Sequence, residues 1–119
     1  MNDDIRVPTA EYTLCGKKYT LIANMNVLAD VQEAFDGDMR EALSRKHTLK
    51  SGLVIGAAML NEACAISGDR ERFTPDDLGR KIKANEAVSF AEIVTGLLCR
   101  AVMADEEPGE KDEAQDSKN

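Results

Sequence analysis

Residues 11 to 22 hold two short runs, EYTLC and KYTLI, on either side of Gly16-Lys17. In both, apolar and polar side chains alternate: Tyr12 and Leu14, then Tyr19 and Leu21, against Glu11, Thr13, Lys18 and Thr20. Period-two alternation marks half-buried strands. A glycine at the first central position of a two-residue loop suits a type II′ turn. The pair therefore reads as a β-hairpin with one apolar face. A lone hairpin is marginal in water, so that face must pack on the rest of the chain or join another sheet. This constrains the fold most, because everything downstream reads as helix.

Asn24 or Asn26 is a helix cap. Val27, Leu28, Val31 and Phe35 follow at helical spacing, with Asp30, Gln32 and Glu33 outward. Gly37 stands where a left-handed C-cap is preferred. Asp38 caps a short helix, MREALSRK, with Met39, Ala42 and Leu43 inward. The stretch from Thr48 to Gly68 is expected to be a central helix, since its apolar residues nearly encircle it. Leu49, Leu53, Leu60 and Cys64 line one face, and Val54, Ile55, Met59 and Ile66 cover much of the rest. Gly52 and Gly56 each cost about 1 kcal/mol against Ala inside a helix, which points to close approach of a neighbouring helix. TPDDLGRKI carries a start signal, with Thr74 at the N-cap, Pro75 at N1, and Asp76 and Asp77 in the first turn. A last helix is expected from about Asn85 to Ala104. Its stripe is Ala87, Phe90, Ala91, Val94, Leu97, Leu98 and Ala101, widened by Val102 and Met103.

The sum is an α+β, predominantly helical chain: an N-terminal hairpin followed by a four- to five-helix bundle. At 119 residues it is one domain. Residues 1–9 read as a flexible arm, 10–104 as the domain, and 105–119 as a disordered acidic tail without apolar periodicity. The net charge of -7 is concentrated there: from Asp105 onward seven acids face two lysines, leaving the remaining residues at only -2. Such a body offers no footprint for nucleic acid, where Lys and Arg must neutralise phosphates. The aromatic residues are only Tyr12, Tyr19, Phe35, Phe73 and Phe90, so Ala, Leu, Val and Met must build the core. Cys15, Cys64 and Cys99 are scattered and odd in number, which fits reduced thiols in the cytoplasm. Cys64 and Cys99, in apolar helical runs, are expected to be structural. The acidic start is no signal peptide. The longest apolar run, GLVIGAAML, falls short of the about 20 residues of a membrane span.

Catalytic candidates are weak. The acid pairs Asp36/Asp38, Asp69/Glu71 and Asp76/Asp77 sit at helix starts or loops, where capping accounts for them. DGDMREAL lacks the further ligands of a calcium loop. GDRERF reads as a solvated loop, and His47 stands in no triad-like company. No catalytic residue, cofactor or metal is expected. Apolar surface is the remaining candidate: the unpaired hairpin edges, which invite self-association, and the end of the last helix, where Leu98, Val102 and Met103 are the candidate partner-binding residues.

Read in order, YTLCGKKYTLIANMNVLADVQEAF resembles the start of tail assembly chaperones of long-tailed phages and prophages, including their gene-transfer-agent relatives. Gly16, Tyr19 and Leu21 match the hairpin of that pattern, and Leu28, Val31 and Phe35 its first helix. DMREAL, VIGAAMLNEACAISGD and TPDDLGRKI match the later helices, so the likeness covers roughly residues 10 to 104. The chain departs from the pattern in its nearly uncharged, glycine-containing central helix and in lacking an acid at Val31. The resemblance implies a non-enzymatic protein of the host cytoplasm. It would coat the aggregation-prone tape measure protein, contact the tail tube protein, and be absent from the mature virion. Two other readings are a small structural head–tail or tail completion protein, and a host-directed phage regulator. The resemblance also implies a longer, frameshifted form, for which Ser117-Lys118-Asn119 allows a slippery codon run.

Overall fold

The hairpin forms with a turn one residue earlier than the sequence suggests. In the computed structural model, which describes residues 7–43 and 49–106, β1 (Thr9–Leu14) and β2 (Lys17–Ile22) pair antiparallel with Tyr12 opposite Tyr19 and Leu14 opposite Lys17. The central turn residues are thus Cys15 and Gly16, with φ of 52° and 83°. Two positive φ values make this a type I′ turn rather than type II′. Cys is not a usual first residue of such a turn, so the sequence reading gave the first central position to Gly16. The register has a consequence: Lys17 lies on the same face as Tyr19, at its margin. The expected flexible arm is also shorter at its end. Pro8 is buried, its carbonyl accepts from the Ala23 N–H at 3.1 Å, and Thr9 already belongs to β1.

Asn24 caps α1 (Met25–Ala34) by accepting from the Val27 N–H at 3.1 Å. The helix closes at Phe35 in a Schellman motif. The Asp36 N–H donates to the Glu33 carbonyl at 3.1 Å and the Gly37 N–H to the Gln32 carbonyl at 2.7 Å. The left-handed residue that follows the cap is therefore Asp36 (φ 58°), with Gly37 (φ 83°) next to it; Asp tolerates this region better than most side chains. Asp38 then accepts from the Arg40 N–H at 3.0 Å and starts α2 (Met39–Ala42), a single turn. His47 and the rest of the expected short helix lie outside the described residues.

α3 (Leu49–Ser67) is central, packing against β2, α1, α4 and α5. By length and composition it could cross a membrane, but here its apolar surface meets protein on several sides. Ile55, Met59, Leu60 and Cys64 are buried, whereas Leu49 (55% exposed) and Ile66 (61%) lie at its two ends and stay exposed. α4 (Pro75–Lys81) opens with a capping box: Thr74 Oγ1 accepts from the Asp77 N–H, and the Asp77 carboxylate accepts from the Thr74 N–H, both at 3.0 Å. A 3-10 turn (Ala84–Glu86) leads into α5 (Ala87–Glu106). α5 thus runs through Asp105 and Glu106, which the sequence reading gave to the tail; residues 107–119 lie outside the described ones.

The hairpin's apolar face is covered by the chain's own aromatics. Tyr12 meets Phe90 edge-on at 5.0 Å between centroids, and Tyr19 meets Phe73 at 5.5 Å. Such contacts add about 0.5–1.5 kcal/mol beyond area burial. The result is an α+β, mostly helical fold.

Candidate functional site

The segment after α3 is more than the solvated loop expected from GDRERF. Asn61 on α3 clamps it with two hydrogen bonds: its amide donates to the Phe73 carbonyl at 2.9 Å, and its side-chain oxygen accepts from the Phe73 N–H at 2.7 Å. Phe73 is buried. Glu71 accepts from the Tyr19 hydroxyl at 3.1 Å and from Lys17 Nζ at 3.2 Å, and Lys17 lies over the Tyr19 ring. Glu71 holds the Lys17 ammonium charged to higher pH, first by hydrogen bond and then by charge. Burial first, then Glu71, raises the Tyr19 phenol, and burial raises the Cys64 thiol. All three shifts lead away from neutrality. The cluster ties the segment to the hairpin and leaves none of the three groups poised for proton transfer near neutral pH.

The acid pairs likewise have local duties. Asp36 and Asp38 end α1 and start α2, Asp69 accepts from the Glu71 N–H at 3.0 Å, and Asp77 completes the capping box. Among the described residues no group of three His, Cys, Asp or Glu side chains is placed to hold a metal ion.

The structure separates the three sequence-predicted partner residues. Leu98 is fully buried, because it lies on the same stripe of α5 as Val94 and Ala101. This corrects its assignment: no partner can reach it in the folded chain. Val102 packs partly against the core, and only Met103 is well exposed, at 67%. The outer edges of β1 and β2 have no strand partner among the described residues.

A different surface has the shape of a binding site. α3 supplies Leu49, Gly52 and Leu53; Gly79 of α4 and Ile82 beyond it form a second wall; Ala84, Ala87, Phe90 and Ala91 form the third. Together they enclose a groove of about 400 Å³. Its floor follows from close helix approach. A Cβ built on Gly52 would stand 2.9 Å from the Ala91 Cβ, and one on Gly56 2.3 Å from Phe90 Cζ. Gly79 differs, since its Cβ would meet only Leu53 Cδ1, at 3.5 Å.

The groove's rim is charged. Lys50 reaches Asp76 at 3.2 Å, linking α3 to α4, and Arg80 reaches Asp77 at 3.3 Å. Lys81 and Lys83 flank Ile82, are exposed, and form no ion pair among the described residues. The hairpin turn is close by, with the Cys15 thiol 3.9 Å from the Lys81 carbonyl oxygen.

Sequence reading passed over this groove, because three separate segments build it. One signal was present: Gly79 stands inside a short capped helix, where glycine lowers stability and no turn requires it. Ala91, the groove residue nearest to them on α5, lies about 10 to 18 Å along the helix axis from residues 98–103, at roughly 1.5 Å per residue. Comparison of the chain with protein-family models, curated proteins and solved structures gave no match.

Proposed function

We propose that this chain is a non-enzymatic tail assembly chaperone of a long-tailed phage or prophage. It binds and solubilises the tape measure protein in the host cytoplasm, helps recruit tail tube subunits, and leaves before the particle is mature. The observation that carries the reading is the apolar groove between α3, α4 and α5. Aggregation-prone helical proteins expose apolar stripes, and a groove of this kind covers such a stripe by taking its anchor side chains. Two further points support it. The order of elements, hairpin then capped helices, is the one the resemblance implies. The chain's charge of -7 keeps a complex with an apolar client soluble.

The test is co-expression with the tape measure protein of the same phage. The chaperone reading expects that protein to move from the pellet to the soluble fraction and to co-purify with this chain. Purified mature particles should lack the chain. Finding it there in fixed copy number would refute the chaperone reading in favour of a structural head–tail or tail component.

A further inference from the structure

We draw no further inference here: the strongest candidate, the apolar groove between α3, α4 and α5, belongs to the site already described, and nothing in the structure shows what covers it.

Discussion

The same substitution, Gly→Ala, should have opposite signs at two helical positions, Gly56 and Gly79. Inside a helix the change is worth about 1 kcal/mol in favour of Ala, before packing is counted. At Gly56 the new methyl would sit 2.3 Å from Phe90 Cζ and 2.5 Å from Cε2. That ring is 1% exposed and edge-on to Tyr12 at 5.0 Å, so moving it aside breaks its contact with the hairpin. Overpacking of this kind costs about 1–3 kcal/mol, and more where the neighbours are rigid. The overlap is severe enough to place the cost at the upper end, so Gly56→Ala should destabilise by about 1–2 kcal/mol net. For a domain of this size the melting temperature should fall by about 5–15 °C. At Gly79 the methyl meets Leu53 Cδ1 at 3.5 Å, an ordinary contact, and the helix gain of about 0.5–1 kcal/mol should survive. Urea unfolding followed by circular dichroism at constant slope measures both. A partner substitution sharpens the test. Phe90→Leu costs stability alone, but combined with Gly56→Ala it should cost less than the sum, because the methyl then has somewhere to go. If Gly56→Ala proves as stable as the parent, α3 and α5 are not in contact there, and the account of the groove's floor fails with it.

Leu60, 1% exposed at the middle of α3, should cost about 2–5 kcal/mol when changed to Ala; a loss under about 1 kcal/mol would mean that this face is not core. Thr74→Ala removes one half of the capping box and should cost about 1 kcal/mol, read from the urea midpoint. The Asp77 carboxyl is held below its ordinary value of 3.8, chiefly by the Thr74 N–H. A depressed folded value means its contribution is complete above about pH 4 and is lost as pH falls through the lowered value. Asp77→Asn should therefore flatten the acid side of the stability profile, and a profile that keeps its slope would rule out this group. Tyr19→Phe removes the hydroxyl that donates to Glu71 at 3.1 Å and should cost about 1 kcal/mol; faster proteolysis between α3 and α4 would report the loosened segment.

What could be read from the chain was whatever neighbouring residues decide among themselves. The alternation around Gly16 specifies the hairpin, Thr74-Pro75 with Asp77 specifies the start of α4, and the apolar stripe from Ala87 to Ala101 specifies the buried face of α5. Even there, single steps were set by geometry that composition does not carry. The turn took Cys15 into a left-handed conformation because the I′ twist needs two such residues. Asp36, not Gly37, came to follow the α1 cap. The segment at Glu71 was misread for a related reason. Its charges look solvated in sequence, but they find Tyr19 and Lys17 across the fold.

The partner surface was misplaced because width of an apolar stripe does not distinguish core from interface. Leu98, Val102 and Met103 lie on neighbouring parts of one helix, yet they range from fully buried to 67% exposed, since α5 turns only part of that stripe outward. A groove, by contrast, is defined by what three elements leave unfilled. Its trace in one sequence is a residue smaller than stability would choose. Gly52 and Gly56 share that trace with Gly79; the sequence points to close helix approach at the first two and assigns no role to the third. Only the position of α5 separates them: it collides with a side chain at the first two and leaves room at the third. Gly79 relieves no collision, and neither does Gly96 on α5, but only Gly79 lines the groove. At Gly79 the consequence of the missing side chain is an open wall beside Leu53 and Ile82.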